Sequence, residues 1–176
     1  MPERYSTAVP GLHLRYATRD DVSVLFPLIR ELAEFEHLLD QVVADEITLA
    51  DELFGKRRVA EVILAELRDE PVAFAVFFHN FSTFMGRAGL YLEDLYVRPH
   101  ARGQGIGRAL ITFVAKIAVE RNCGRFEWSV LDWNTHAIDF YRSLGAVPMS
   151  EWTVQRVTGD ALRRLGSSGT FERETK

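Results

Sequence analysis

The sequence predicts an α/β (α+β) fold with a mixed central β-sheet of six to seven strands and flanking helices. Three observations point to it. Short alternating or wholly apolar runs recur between stretches of helical periodicity; an apolar strand enters a helix through a glycine-rich turn; and 176 residues, 47% of them hydrophobic, suffice for one buried core. Leu12 to Tyr16 alternates as the first strand, and Thr18-x-x-Asp21 opens a helix in the manner of a capping box. The expected buried stripe of that helix is Val22, Leu25, Phe26, Ile29, Leu32 and Ala33. Pro27 lies inside it and should kink or divide the helix, because it removes an N–H and crowds the preceding turn. A second helix is expected from Asp45 to Gly55. Strands over Val59 to Leu67 and Val72 to Phe78 follow, joined as an antiparallel hairpin by Arg68-Asp69-Glu70-Pro71. Gly89 to Val97 is the next strand, Ile106 to Arg121 the next helix, and Arg125 to Val130 the strand that completes a crossover. Asn134 to Leu144 forms a short helix closed by Gly145, and Trp152 to Val157 is expected as a last strand. The domain is expected to span 1–165, followed by a polar, mobile tail over 166–176.

The most informative local pattern is Arg102-Gly-Gln-Gly-Ile-Gly107 between strand and helix. Alternating glycines let the main chain turn tightly and approach a ligand, while the free N–H groups and positive dipole end of the helix favour anions. The dinucleotide fingerprint G-x-G-x-x-G/A fails, because its third position falls on Arg108 or Leu110. A nucleotide P-loop fails too, because Gly107-Arg108-Ala109 supplies no Lys followed by Ser or Thr. A pyrophosphate carried by another cofactor remains. The bland reading, glycines that merely turn the chain, suits one glycine pair better than three alternating ones beside a basic residue.

Composition narrows the partners. A formal charge of -4 and a pI near 5.8 disfavour an extended nucleic-acid surface and suit a small cationic ligand. No apolar run approaches the roughly 20 residues of a membrane span, and the first residues lack a signal core, so a cytoplasmic protein without a membrane partner is expected. A single cysteine, Cys123, excludes an internal disulfide, and no Cys/His spacing predicts a metal.

The hexad resembles the acetyl-CoA loop of the GCN5-related N-acetyltransferases (GNAT). Further blocks bring the resemblance closer: Ile29-Arg-Glu-Leu-Ala-Glu-Phe-Glu36, Asp40-Gln-Val42, Tyr91-Leu-Glu-Asp94, Val130-Leu-Asp-Trp-Asn134, Phe140-Tyr141 and Leu144-Gly-Ala146. In this order, over residues 12 to 157, they are similar to the diamine acetyltransferases, which include spermidine/spermine and thialysine acetyltransferases. The resemblance implies a GNAT fold with splayed parallel strands, acetyl-CoA as cosubstrate, a small-molecule amine as acceptor and a homodimer. It also implies that Leu95, Tyr96 and Val97 offer strand backbone to the pantetheine arm. Gly103, Gln104, Gly105, Ile106, Gly107 and Arg108 would hold the pyrophosphate, with Arg102 and Arg108 adding charge, and Asn134, Thr135, His136 and Ala137 would form a second cofactor segment. Asn134 is equally expected as a helix cap.

The catalytic candidates answer a chemical need. An alkyl amine with pKa near 10.4 must lose a proton before attacking a thioester, so a carboxylate near it is useful. Glu93 and Asp94 are adjacent on an apolar strand, where alternation would point them to opposite faces. The resemblance assigns proton removal, through a water, to Glu93, and protonation of the departing thiolate to Tyr141. Otherwise Glu93 and Asp94 would serve internal ion pairs, and Tyr141 would be an aromatic anchor. For the acceptor, Phe35-Glu36 matches an aromatic and an acid beside the bound amine, Glu127-Trp128-Ser129 matches a substrate-lining strand, and Glu93 and Asp94 are further acceptor-binding candidates.

Departures from the family bear on the acceptor. The loop Phe81-Ser-Thr-Phe-Met-Gly86 lacks the acid and tryptophan of the polyamine branch and looks more like the thialysine branch. One residue is inserted between Gly86 and Tyr91, and the hairpin at Asp69 is short. Two other readings are a catalytically silent CoA-binding module, against which Glu93 and Tyr141 both stand, and a protein or peptide N-acetyltransferase, since fold alone does not set the acceptor.

Overall fold

A computed structural model describes residues 2–169. Backbone contacts divide the chain into two compact units, Met1–Ser129 and Val130–Lys176.

The first unit holds a six-stranded sheet in the order β1 (Arg4–Ser6), β2 (Leu12–Tyr16), β3 (Glu61–Leu67), β4 (Glu70–Ser82), β5 (Arg87–Val97), β6 (Phe126–Trp128). The first five pair antiparallel, and β6 joins β5 in parallel. Three residues of β1 are too few to show alternation, so the sequence does not reveal that strand. The β3–β4 turn is the two-residue pair Arg68–Asp69, both at positive φ (52° and 67°), the hairpin geometry that matches strand twist. β4 runs four residues past the expected Phe78, and β6 is shorter than the expected Arg125 to Val130.

Helix α1 (Val22–Phe35) follows a 3-10 turn whose capping box is formed as expected, with the Thr18 backbone N–H donating to Asp21 at 2.7 Å. It stays one helix across Pro27. Pro27 and Ser23, whose carbonyl loses its helical partner, are both exposed, so the carbonyl is open to solvent. Its buried residues are Val22, Leu25, Leu28 and Leu32; Phe26, Ile29 and Ala33 are half-buried. Helix α2 (Glu46–Phe54) starts at Asp45, whose side chain accepts from Thr48 N–H at 2.7 Å, and stops at Gly55. With Val62, Leu64, Phe74, Val76 and Tyr96, α1 and α2 close the core on one sheet face. Helix α3 (Ile106–Glu120) covers the other: its Phe113 meets Tyr5, and Arg121 just beyond it lies over Phe77.

The second unit contains α4 (Thr135–Ser143) and α5 (Gly159–Ser167). No strand forms over Trp152–Val157, where the alternation of Trp152 to Gln155 breaks at Arg156 and no strand partner is present among the described residues, and the helix α5 runs into the first residues of the expected mobile tail. Residues 170–176 of that tail lie outside the described residues. No described helix is long and apolar enough to cross a membrane.

Candidate active site

Strand β5 pairs with β4 along its length, yet β6 pairs only with Leu90, Tyr91 and Leu92. Beyond Leu92 the two parallel strands part, and the β5 edge from Glu93 to Val97 has no strand neighbour on that side among the described residues. Its backbone groups need partners. Leu95, Tyr96 and Val97, the residues expected to meet pantetheine, lie on this edge. Tyr96 turns its ring into the core beside Phe74, while Leu95 and Val97 are half-buried.

The register of β5 changes where the strands part. Val76 faces Asp94, but the next residue, Phe77, faces Leu92, so Glu93 is the extra residue of a β-bulge. Phe74, Val76 and Phe78 share a face of β4, and their partners Tyr96, Asp94 and Tyr91 therefore share the α1 face of β5. The expectation that Glu93 and Asp94 point to opposite faces rests on unbroken alternation, which the bulge abolishes. Glu93 is exposed and Asp94 half-buried. Loss of water, then repulsion from Glu93 and Glu36, pushes the Asp94 carboxyl up to about 7. Burial also raises Glu36, which follows α1 directly. Three carboxylates thus converge within electrostatic reach, a setting that favours a cation or a shared proton.

The glycine loop follows β5. Gly103 (φ +75°) and Gly105 (φ +83°) both occupy the left-handed region, and Gly105 is the N-cap of α3. Lacking a side chain, it cannot accept from the first-turn N–H groups of Ile106 and Gly107, which an anion can serve instead. Gln104 donates to the His100 carbonyl at 3.4 Å, and Arg108 is exposed on the first turn of α3. Arg102, expected to add charge at the pyrophosphate, makes contacts of its own. Its Nε donates to the Val97 carbonyl at 2.9 Å, and its guanidinium stacks 4.7 Å from the Phe35 ring centroid and 5.7 Å from that of Tyr96. It therefore ties the glycine loop to the end of α1, where Phe35 and Glu36 stand.

On β6, Glu127 accepts from Asn80 Nδ2 and pairs with Arg125 Nε, each at 2.7 Å. Trp128 packs edge-on against Phe126, and Ser129 bonds the Tyr91 hydroxyl at 2.7 Å. Neither Asn80 nor Arg125 was singled out by any motif, because their relevance arises only from cross-strand pairing. In the second unit, Asn134 accepts from Ala137 N–H at 3.2 Å as the N-cap of α4, with Thr135 and His136 in its first turn. Tyr141 is half-buried on the same helix, its ring 5.3 Å from that of Phe140.

A strand with a splayed edge runs into a glycine-led helix whose first-turn N–H groups lack a side-chain cap. Residues 26–146 match the family model described as acetyltransferase (GNAT) family. The chain belongs to the GNAT acetyltransferases. Among curated relatives of this GNAT chain, a Bos taurus thialysine N-epsilon-acetyltransferase is 39% identical over 163 residues, covering 86% of this chain and 95% of the relative. An L-ornithine N5-acetyltransferase of Arabidopsis thaliana is 33% identical over 197 residues, covering 86% of each. A solved integron cassette protein from the mobile metagenome of V. cholerae superposes with a TM-score of 0.77 at 28% identity, over 90% of this chain and 99% of that one. The chain is thus a GNAT enzyme with the mixed-sheet fold of its family, and GNAT acetyltransferases use acetyl-CoA as cosubstrate.

Proposed function

We propose that this enzyme transfers the acetyl group of acetyl-CoA to a primary amine of a small cationic acceptor, a lysine- or thialysine-like amino acid, a diamine or a polyamine, by direct attack. The observation that carries the reading is Asp94, a carboxyl raised to about 7 beside Glu93 and Glu36 where β5 and β6 part. A carboxylate of that basicity is a better acceptor for an ammonium proton at neutral pH than one at 3.8. In this reading Asp94 receives the proton and the exposed Glu93 passes it to solvent through water. The amine nitrogen forms the new bond to the acetyl carbon as the carbon–sulfur bond breaks, and the Tyr141 hydroxyl gives its proton to the sulfur. Leu95 to Val97 align the pantetheine arm, the residues from Gly103 to Arg108 hold the pyrophosphate with Arg102 anchoring the loop, and Asn134 to Ala137 flank the cofactor. Phe35 and Glu36 face the acceptor with Asp94. The names of the thialysine and ornithine relatives support a small acceptor carrying an amino-acid end. A cytoplasmic homodimer belongs to the same proposal; Phe84 of the first unit, 97% exposed, suits a covered apolar surface.

The test is thiol release from acetyl-CoA with lysine, thialysine, ornithine, short diamines, spermidine and a peptide, for the native chain and Tyr141→Phe. Small-amine turnover that falls at least about 100-fold in the variant supports the reading. Cofactor binding without turnover of any amine would leave a silent CoA-binding module, and turnover of peptide alone would make it a protein acetyltransferase.

A further inference from the structure

The α1 face of the sheet continues past Asp94 to a second charged group. Tyr91 pairs in register with Glu127, and Phe78 pairs with Tyr91, so Glu127 and Asn80 stand on the same face as Asp94. Glu127 does not offer a bare negative charge there. Arg125 neutralises it, and Asn80 Nδ2 donates to the same oxygen, Oε2. The side chains of Arg125 and Glu127 are 37% and 35% exposed, so solvent and ligand reach both.

The arrangement depends on Gly89. A Cβ there would lie 2.2 Å from Asn80 Oδ1 and 2.9 Å from Arg125 Cγ, so no other residue lets both side chains fold over the strand. Asn80 Oδ1 is buried against it without a hydrogen-bond partner. Such a cost in burying an amide oxygen is consistent with holding the amide nitrogen on Glu127.

Resting on the acceptor reading above, we propose that Arg125 and Glu127 form a dipolar subsite for the α-carboxylate and α-ammonium of an amino-acid acceptor whose side-chain amine is the group acetylated. Arg125 meets the carboxylate and Glu127 the ammonium. Tyr91, beside Glu127, and Asp94 face Phe78 and Val76, two residues apart on β4, because the bulge takes up Glu93; their spacing along the sheet is therefore roughly 7 Å at 3.3 Å per residue. Side chains on one face stand roughly perpendicular to the sheet, so this spacing suits the extended span of roughly 6 Å from the α-carbon to the terminal nitrogen of a lysine-like chain with bonds near 1.5 Å. A plain diamine of the same length brings a second ammonium to a site where the guanidinium already occupies the acid, and it is disfavoured by like charge.

The ratio of kcat/KM for lysine to that for 1,5-diaminopentane, its counterpart without the carboxylate, tests this in native enzyme and Arg125→Gln. Because both substrates are assayed on one preparation, the ratio does not depend on the folded fraction. The native ratio is expected above one, and the variant's at least about ten-fold lower, with lysine KM raised and diamine turnover improved. Equal losses for both amines, or a ratio unmoved by the substitution, would overturn the subsite while leaving acetyl transfer to amines intact. If the native enzyme acetylates no amine, the acceptor reading fails and the subsite with it.

Discussion

At neutral pH Asp94 is poised between its two protonation states, which is the property a proton acceptor for an ammonium needs. Because desolvation and the charges of Glu93 and Glu36 set its carboxyl near 7, kcat/KM should rise with pH through an apparent pKa of about 7. Glu93→Gln or Glu36→Gln removes a like charge and should move that limb to lower pH; Asp94→Asn should abolish it, with activity down at least about 100-fold. A limb that stays put in all three variants assigns it to another group. The same shift has a stability consequence. The folded carboxyl titrates above its ordinary 3.8, so the protonated form favours folding; this stabilisation is full below 3.8 and is lost as pH rises through about 7. Asp94→Asn should therefore be more stable than the native chain at pH 8, by on the order of 1–3 kcal/mol in denaturant unfolding, while being less active.

Two elements, the bulged strand and the glycine-led helix, turn ordinary secondary structure into a site. The helix depends on backbone that L-residues avoid. Gly105→Ala would force a side chain into the left-handed region with its Cβ 3.4 Å from Val9, whereas at Gly103 the added Cβ meets nothing and only backbone strain remains. Each should cost roughly 1–2 kcal/mol, Gly105→Ala the more, and thermal unfolding with and without CoA should show Gly105→Ala also losing most of the cofactor-induced stabilisation. The glycine loop was legible from spacing because positive φ demands glycine and leaves a mark in the sequence. The bulge was not legible. It arises from counting residues against a partner strand, and Tyr91 to Val97 alone contains no register.

Across the whole first unit, β1, β2, β3 and the turn before α1 are joined by an ionic network remote from the carboxylate cluster. Arg15 makes two bonds to Asp21 at 2.7 Å and one to Glu66 at 2.8 Å, and Arg4 also reaches Glu66. Glu66 is 5% exposed. Removing Arg15 would leave that buried acid with Arg4 as its remaining charge partner and take from Asp21 its own, so Arg15→Gln should destabilise the fold by about 3 kcal/mol in chemical denaturation. Burial alone would raise Asp21, but hydrogen bonds from Arg15 and Thr18 outweigh it and hold its carboxyl below the ordinary 3.8. That stabilisation is present above 3.8 and lost as pH falls through the lower folded value. Acid unfolding of Arg15→Gln should accordingly begin at higher pH than in the native chain, and coincident acid transitions would show that the network does not hold the sheet edge.

Local order was largely readable from the chain alone. Apolar periodicity marks α1 and α3, capping chemistry at Thr18, Asp45 and Asn134 marks helix starts, and the alternating glycines mark the loop, because each depends on neighbours within a few residues. Strand β1 and the absence of a strand at Trp152–Val157 were not readable, since pairing requires a distant partner and alternation only permits it. Residue types also placed Glu93, Asp94 and Glu36 among the candidates. Which carboxyl is buried, that Glu93 and Glu36 repel it, that Arg102 folds onto Phe35, and that Arg125 neutralises Glu127 were decided by tertiary structure alone, because desolvation and Coulomb energy depend on distances through space that residue order does not contain.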